Sequence, residues 1–187
     1  SRELYDSWAA TYDKEVEENG YVTPKRIADA LKDIVSDQSE LILDYGCGTG
    51  LSGSALWSVG FKNIDGLDVS EEMVHLAKKK SIYRNLRVFE PSTKIPVQAE
   101  QYKIITAVGV IGAGAAPLQV FSDLLSLLPS NGLLAFSFND HTLSDPSYEK
   151  EVDACLKVGK ALMVHKSYGK HLPKANLNSN IYILKKL

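Results

Sequence analysis

The sequence predicts a single α/β domain built on a doubly wound sheet with helices on both of its faces. Three observations predict this fold class. Short apolar segments typical of buried strands alternate with longer segments that have helical periodicity. The first apolar segment, residues 41–45, leads directly into a turn that has glycine at positions 46, 48 and 50. A length of 187 residues is enough for one sizeable core.

Several of the predicted helices begin at residues that favour helix starts. Thr23 suits an N-cap, and Pro24 suits the first helical position. Ser70 suits the cap of a helix that starts at residue 71, and Asp145, next to a proline, marks a later start. The predicted helices cover residues 2–16, 24–36, 51–59, 71–80, 116–128 and 146–160.

The predicted strands are short apolar segments bounded by turn residues. They cover residues 41–45, 64–69, 86–89, 102–108, 133–138, 162–168 and 181–186. In a doubly wound sheet the ligand binds at the carboxyl ends of the strands, where the strand order reverses. We therefore expect the glycine turn after the first strand to border the binding site.

The segment that ends in the glycine turn has the sequence LILDYGCGTG, residues 41–50. Glycine permits positive φ angles and lets a ligand lie against bare main chain, and the next helix offers free N–H groups at its start. Asp44 is the discriminating residue, because a carboxylate at this turn would repel a pyrophosphate but attract a cationic amine. The pattern therefore indicates a ligand that carries an ammonium group.

Residues 41–50 resemble motif I of the class I S-adenosylmethionine-dependent methyltransferases. Residues 66–73, GLDVSEEM, resemble the end of that family's second strand and its following helix, and residues 5–13 resemble the opening helix of many small members. The resemblance implies a Rossmann-like methyltransferase fold, with a mostly parallel seven-stranded sheet whose last strand is antiparallel and lies beside the fifth. It also implies S-adenosylmethionine as the cofactor.

The resemblance extends along nearly the whole chain, so we expect one methyltransferase domain over residues 1–187. Within it, residues 1–36 are expected to form a helical lid and residues 40–187 the core. The overall pattern is similar to the Williams-Beuren-region subgroup of methyltransferase-like proteins, a resemblance that implies no particular substrate.

The cofactor site is expected to combine the glycine turn with residues at the ends of later strands. Asp44 would bind the ammonium group, directly or through water, although a strand-end carboxylate also serves to cap the N–H groups of the turn. Asp68 lies 22 residues after Gly46, a spacing at which a carboxylate accepts both ribose hydroxyls. The complete predicted set is Tyr12, Asp44, Gly46, Cys47, Gly48, Gly50, Asp68, Val69, Met73, Ser92 and Val108.

The adenine side of the predicted site departs from the family pattern. Many members have an acidic residue after the third strand, whereas that position is Pro91 here. Glu90, one residue earlier, or Ser92, through its N–H and hydroxyl groups, would take its place. Val69 and Met73 are expected to pack on the adenine face, although a methionine on an apolar helix face more often belongs to the core.

Three aromatic residues of the predicted first helix share one face: Tyr5, Trp8 and Tyr12. Such a stripe usually packs into a core. The family resemblance instead implies a lid in which Tyr12 reaches the methionyl end of the cofactor. Both interpretations remain open.

The acceptor side of the predicted site has few groups that are able to take part in acid–base chemistry. The loop after the fourth strand, residues 109–116, has no ionisable side chain, so it either leaves room for a bulky or apolar acceptor or packs closely against a helix. His141 is the best candidate base because histidine titrates near neutral pH, although a histidine in a loop is more often only a surface residue. The other histidines lack the spacing of metal ligands, and no metal is expected.

Composition and charge limit the classes of partner. The formal net charge of −2 provides no basic field for nucleic acid or an anionic membrane, which favours a small-molecule acceptor. No apolar segment approaches the length of a membrane span, and no signal peptide is visible. The two cysteines do not indicate a disulfide framework, so we expect a cytoplasmic protein, whose oligomeric state stays open.

Three alternative functions remain open. Residues 48–53, GTGLSG, satisfy the G-x-G-x-x-G pattern of NAD-dependent oxidoreductases, although Asp44 and the spacing of Asp68 favour the methyl donor. The missing acidic adenine contact also allows a module that binds S-adenosylmethionine without catalysis. The aromatic N-terminal helix would equally serve a protein-interaction role.

Overall fold

The computed structural model describes residues 20–187, and the predicted helix over residues 2–16, with Tyr12, lies outside this range. The helices are α1 (Thr23–Ile34), α2 (Leu51–Ser58), α3 (Glu71–Lys79), α4 (Gln119–Leu127), α5 (Asp140–Leu143) and α6 (Pro146–Lys157), and a 3₁₀ turn covers Pro173–Ala175. The strands are β1 (Ile42–Tyr45), β2 (Ile64–Asp68), β3 (Asn85–Val88), β4 (Ile104–Ala107), β5 (Leu133–Asn139), β6 (Ala161–Leu172) and β7 (Leu177–Lys186).

The strands of residues 20–187 form one seven-stranded sheet in the order β3-β2-β1-β4-β5-β7-β6. β1 pairs in parallel with β2 and β4, and further parallel pairs join β2 to β3 and β4 to β5. β7 is antiparallel to both β5 and β6. This mostly parallel sheet, with its antiparallel strand next to β5, confirms the predicted fold class. The strand order reverses between β1 and β4, which is where such folds bind their ligands.

Two hydrophobic clusters lie on the two faces of the sheet. Along β1, Ile42 belongs to the cluster that α1 and α2 cover, whereas Leu43 belongs to the cluster under α4 and α6. This alternation has the period of two expected of a strand that is covered on both faces. Phe61 is fully buried in the first cluster, and Phe121 and Phe136 are buried in the second. The core therefore holds the sheet rigidly between two helical layers.

The last two strands are longer than the sequence predicts. β6 covers 161–172 rather than 162–168, and β7 covers 177–186 rather than 181–186. The residues added to β7 include Ser179 and Asn180, which are polar yet buried. Their extended conformation is stabilised by pairing with β6 and by a hydrogen bond from α1. Local hydrophobicity does not report such pairing, because it depends on the neighbouring strand.

Two helix starts differ from the prediction. α1 has Val22 as its N-cap, and the hydroxyl group of Thr23 is bonded to the β6–β7 hairpin instead of capping the helix. α4 begins at Gln119 rather than at residue 116, because the preceding loop is closed by a bridge between Ile111 and Ala116. In both places the group that the sequence assigns to the helix start has a partner elsewhere: the Thr23 hydroxyl is bonded to the hairpin, and Ala116 pairs with Ile111.

Side chains cap three other helices. The Ser70 hydroxyl accepts from the Met73 N–H over 3.2 Å, and the Asp145 carboxylate accepts from the Ser147 N–H over 3.0 Å, which confirms both predicted caps. Asn139 caps α5, a helix of four residues that the sequence analysis did not predict. A helix this short has no periodicity of its own to detect.

Candidate functional site

A cleft opens at the carboxyl ends of β1 and β4, where the strand order reverses. Three parts of the chain form it: the glycine turn after β1, the residues after β4, and the segment around the start of α1. Its lining residues are Tyr21, Pro24, Gly46, Cys47, Gly48, Thr49, Leu51, Ser52, Val108 and Gly109. The predicted cofactor residues among them are Gly46, Cys47, Gly48 and Val108.

The glycine turn has the backbone conformation that its sequence indicates. Gly46, Gly48 and Gly50 have φ angles of 68°, 54° and 99°, in the left-handed region that favours glycine. A Cβ atom on Gly46 would overlap the methyl groups of Val110, whereas one on Gly48 would meet no described residue within 4 Å. No described residue therefore covers the main chain at Gly48, as close approach of a ligand requires.

Asp44 is buried beneath the turn, with an exposed fraction of 0%. The hydroxyl groups of Ser52 and Tyr83 each donate to its Oδ2 atom over 2.7 Å. The Thr106 hydroxyl donates to its Oδ1 atom over 2.9 Å. Burial raises the pKa of Asp44, and these hydrogen bonds oppose the rise because they favour the charged form. The carboxylate thus joins the start of α2, Tyr83 and β4, and its direct contact with an ammonium group stays a prediction.

Tyr83 reaches Asp44 through a gap in α2 that a glycine provides. A Cβ atom on Gly53 would overlap the Tyr83 hydroxyl group, so a side chain at residue 53 would block this hydrogen bond. Gly53 is also the last glycine of the G-x-G-x-x-G pattern in residues 48–53. Because this glycine admits a side chain of the protein itself, the pattern does not require a dinucleotide.

Asp68 ends β2 and lies next to the glycine turn. The N–H groups of Ser70 and Gly48 donate to its carboxylate, the first over 3.1 Å. Burial raises the pKa of Asp68, and both hydrogen bonds oppose that rise. Asp68 is only partly buried, so it remains accessible to a ligand, unlike Asp44. The structure thus joins the glycine turn to the predicted ribose-binding carboxylate across two neighbouring strands.

The two apolar residues predicted for the adenine face differ in exposure. Val69, which directly follows Asp68, is 50% exposed and leaves its apolar surface available to an aromatic ring. Met73 is 9% exposed and is largely enclosed within the protein. Val69 is therefore the better placed of the two for a contact with adenine.

The loop after β3 adjoins Asp68 but presents no buried acidic group. The Phe89 N–H donates to the Asp68 carbonyl over 3.1 Å, which fixes the start of the loop. The Thr93 N–H donates to the Glu90 carbonyl over 3.1 Å and closes a tight turn in which Ser92 is exposed. Glu90 and Ser92 both stay predicted partners for adenine, since each is exposed in the same turn.

The loop after β4 combines close packing with an exposed tip. A Cβ atom on Gly112 would overlap the Thr142 hydroxyl group, so this part of the loop packs against α5. Residues 113–115 are exposed, and a Cβ atom on Gly114 would meet no described residue within 4 Å. Close packing therefore explains Gly112, and the exposed tip remains available for an uncharged acceptor.

His141 is exposed in α5 and is not among the residues that line the cleft. Within residues 20–187 no hydrogen-bond partner is found for its ring, and its carbonyl accepts from the Ser144 hydroxyl over 2.6 Å. Its role as a base stays a prediction.

Within residues 20–187 no group of three or more His, Cys, Asp or Glu residues is arranged to hold a metal ion. In the same range no helix is long and apolar enough to cross a membrane.

Tyr21 is a cleft residue that the sequence analysis missed. A Cβ atom on Gly109 would lie 2.6 Å from the Tyr21 hydroxyl oxygen, so this hydroxyl lies at the loop after β4. The Tyr21 ring packs edge-on against His171, with the ring centroids 4.9 Å apart. The one signal in the sequence is a tyrosine shortly before a predicted helix start, which does not distinguish a binding residue from any other aromatic residue.

Comparison with known proteins gives one consistent result. A family model described as a methyltransferase domain matches residues 17–169. Human Methyltransferase-like protein 27 is 28% identical over 156 residues, which are 82% of this chain and 63% of that protein. The malonyl-[acyl-carrier protein] O-methyltransferase of Halalkalibacterium halodurans is 35% identical over 107 residues, which are 54% of this chain and 40% of that protein. The chain therefore spans less than two thirds of the length of these relatives.

A solved structure shows the same fold at low sequence identity. A TehB-like SAM-dependent methyltransferase from Corynebacterium glutamicum superimposes with a TM-score of 0.69 at 16% identity, covering 98% of this chain and 99% of that chain. Identity at this level supports the fold alone. The human relative agrees with the resemblance to the Williams-Beuren-region subgroup.

Proposed function

We propose that this chain, which belongs to the class I S-adenosylmethionine-dependent methyltransferase family, transfers a methyl group from S-adenosylmethionine to a small-molecule acceptor. The observation that carries the proposal is the pairing of an open glycine turn with Asp68. No described residue covers the main chain at Gly48, and its N–H donates to Asp68. A ligand on the turn is thereby within reach of a carboxylate able to accept two ribose hydroxyls.

The residues around the cleft suit the parts of S-adenosylmethionine. The first N–H groups of α2, which have no carbonyl partner within their own helix, suit the methionyl carboxylate. Asp68 suits the ribose diol, and the exposed side chain of Val69 suits one face of adenine. Asp44, when charged, places a negative charge beneath the turn, which favours a cationic group above it.

When bound, S-adenosylmethionine would supply a methyl group activated by its sulfonium sulfur. The acceptor would attack the methyl carbon in line, and the carbon–sulfur bond would break to release S-adenosylhomocysteine. The chain's contribution is to hold the acceptor close and aligned, an effect that reaches about 7–11 kcal/mol in the best intramolecular reactions. The described residues that line the cleft include no carboxylate, histidine or lysine. We therefore assign rate enhancement to proximity and orientation in preference to a strong general base.

Two observations support a small acceptor without a net charge. The formal net charge of −2 provides no general attraction for nucleic acid. The exposed tip of the loop after β4, residues 113–115, consists of alanine and glycine and belongs to the loop that begins at Gly109, which lines the cleft. An acceptor that packs there meets small apolar groups, so its recognition depends on shape more than on charge.

Calorimetric titration of the protein with S-adenosylmethionine, S-adenosylhomocysteine and NAD, in parallel, tests the cofactor assignment. We expect micromolar dissociation constants for the first two ligands and no binding of NAD. The preference follows from a turn that is built over a buried carboxylate and adjoins Asp68. Binding of NAD alone would show that the assignment of Asp44 and Asp68 is wrong.

One alternative has support in the same cleft. Because no carboxylate, histidine or lysine lines it within residues 20–187, a module that binds S-adenosylmethionine without catalysis is consistent with the geometry. Incubation with methyl-labelled S-adenosylmethionine and a set of small nucleophiles separates the two. Transfer of label to any of them excludes the binding module, and tight binding with no transfer to any of them favours it.

A further inference from the structure

The segment before α1 contacts two distant parts of the fold. Tyr21 lines the cleft, with its hydroxyl group at Gly109, and its ring packs edge-on against His171 of β6. The next residue continues this contact, because the Val22 N–H donates to the His171 carbonyl over 2.9 Å. The position of Tyr21 in the cleft therefore depends on how this segment meets the β6–β7 hairpin.

Buried polar side chains fix that meeting point. Thr23 and Ser179 have exposed fractions of 0%, and His171 is 6% exposed. The Thr23 hydroxyl oxygen lies 2.6 Å from His171 Nδ1 and 2.8 Å from the Ser179 hydroxyl oxygen. Side chains of β6 and β7 thus both contact the Thr23 hydroxyl group of α1.

Arg26 adds further hydrogen bonds between α1 and the hairpin. Its Nη1 atom donates to the Ser179 hydroxyl over 2.9 Å and to the Lys170 carbonyl over 2.9 Å, and its Nη2 atom donates to the Ser167 carbonyl over 2.9 Å. A Cβ atom on Gly169 would lie only 3.0 Å from Nη2, so glycine leaves room for the guanidinium group. We call Thr23, Arg26, His171 and Ser179 the anchor cluster.

Apolar side chains would hold α1 against the sheet without the desolvation cost of these polar groups. Hydrogen bonds differ from apolar contacts because they require particular distances and angles, so they allow one alignment of the two partners. α1 also packs by apolar residues such as Ile27 and Leu31, but these contacts do not fix its alignment with the hairpin as the hydrogen bonds at its start do. The hydrogen bonds of the anchor cluster thus fix the orientation of α1 at the point where the chain enters the cleft.

We propose that the anchor cluster positions Tyr21 in the cofactor cleft, so that Tyr21 is a cofactor-binding residue and Thr23, Arg26, His171 and Ser179 are positioning residues that act through it. This inference rests on the proposed function, because it requires the cleft to bind S-adenosylmethionine and its product. It assigns a part in cofactor binding to the β6–β7 hairpin, which does not itself line the cleft.

A double-mutant cycle tests this relation, with the affinity for S-adenosylhomocysteine measured by calorimetry. We expect Tyr21→Ala to weaken binding by about tenfold and Thr23→Val to weaken it by about threefold to tenfold. The double variant should bind within about twofold of Tyr21→Ala alone, because Thr23 acts through the side chain that is already missing. Thr23→Ser, which keeps the hydroxyl group, is the matched control and should bind like the wild type.

Additive losses in the double variant, or an unchanged affinity of Tyr21→Ala, would overturn the inference while leaving the proposed function standing. If the wild-type protein does not bind S-adenosylhomocysteine, the proposed function fails and the inference fails with it. Thermal unfolding of each variant shows whether it is folded. If Thr23→Val is not folded, Ser179→Ala, which removes a single oxygen atom, takes its place in the cycle with the same expectation.

Discussion

At the scale of single residues, two carboxylates on neighbouring strands, β1 and β2, have different environments. Asp44 is enclosed and receives three hydroxyl groups, whereas Asp68 remains partly exposed and receives main-chain N–H groups. Burial raises the pKa of both. The two carboxylates therefore differ in access: Asp44 is bonded to side chains of α2, β4 and Tyr83, whereas Asp68 is available to bind a ligand.

Replacement of Asp68 tests its role in binding. Asp68→Ala should weaken the binding of S-adenosylhomocysteine by more than about tenfold, because a charge-assisted contact to the ribose hydroxyls is lost. Asp68→Asn is the matched control, since its amide oxygen still accepts from the Gly48 and Ser70 N–H groups. We expect the asparagine variant to retain an intermediate affinity. Calorimetry that shows equal affinity for all three proteins would remove Asp68 from the site.

Replacement of two tyrosines tests how the hydrogen bonds to Asp44 contribute to the free energy of unfolding. Tyr83→Phe should lower the free energy of unfolding by about 1–3 kcal/mol, because it removes a hydroxyl group that donates to the buried carboxylate. Tyr182→Phe is the control: its hydroxyl group is buried near the Asn180 and Glu149 side chains but forms no hydrogen bond of good geometry with any described residue. That variant should be as stable as the wild type or slightly more so. Urea unfolding measures both, and equal losses would contradict this interpretation.

At the scale of elements, the β6–β7 hairpin contributes more than an edge to the sheet. The anchor cluster joins the hairpin to α1. Asp140 joins the hairpin to α5, because its carboxylate accepts from the Tyr168 hydroxyl and the Asn178 N–H. Both contacts lie near the turn that connects β6 to β7. In this part of the hairpin the two strands extend beyond the residues predicted as strand. The length of the hairpin is therefore what allows it to meet both helices.

His171, in the anchor cluster between α1 and the hairpin, should make the free energy of unfolding depend on pH. The pKa of His171 is lowered from 6.5 to about 4, first by burial and then by the charge of Arg26, while Asp140 acts in the opposite direction. Between these values the unfolded state binds more protons than the folded state. The free energy of unfolding should therefore fall as the pH falls from about 6.5 to about 4, by up to about 3 kcal/mol from this group.

Urea unfolding of the wild type and of His171→Gln at several pH values between 4 and 7 isolates this contribution. Other groups titrate in both proteins, so the difference between the two curves reports on residue 171. We expect the difference to change across this range and to become constant above about pH 7. Parallel curves over the whole range would show that His171 is not buried in its neutral form.

At the scale of the whole molecule, the cleft lies where several elements meet. Turns after β1 and β4 form two of its sides, and the start of α1, which the hairpin holds, forms another. Neighbouring strands connect Asp68 to the same turn. A ligand in the cleft would therefore contact segments from both halves of the sheet and stabilise the folded state as a unit.

Ligand binding should accordingly raise the melting temperature of the protein. S-adenosylhomocysteine at about 100 times its dissociation constant contributes about 2.7 kcal/mol to the folded state. For a chain of this length the melting temperature should rise by about 5–10 °C. NAD at the same concentration is the control and should produce no shift. Calorimetric or fluorescence melting curves provide the measurement, and equal shifts for both ligands would contradict the cofactor assignment.

Local patterns were sufficient to predict most of the fold. Alternating periodicities located the strands β1 to β5 and the helices between them, because a buried strand and an amphipathic helix each leave a short-range signature. The prediction was wrong where the signature is absent. The helix start at Gln119 and the ends of β6 and β7 depend on a loop bridge and on strand pairing, which hydropathy along the chain does not encode.

The sequence by itself determined the glycine turn, the spacing of Asp68 from it and the family to which the chain belongs, because these features lie in short segments whose backbone demands are local. Only the tertiary structure decided that Asp44 turns inward and that Tyr21 enters the cleft. Both outcomes depend on hydrogen bonds between distant residues, such as Thr23 and His171, which are 148 positions apart. Contacts of this kind leave no pattern in the sequence, since they arise only when the folded chain brings their partners together.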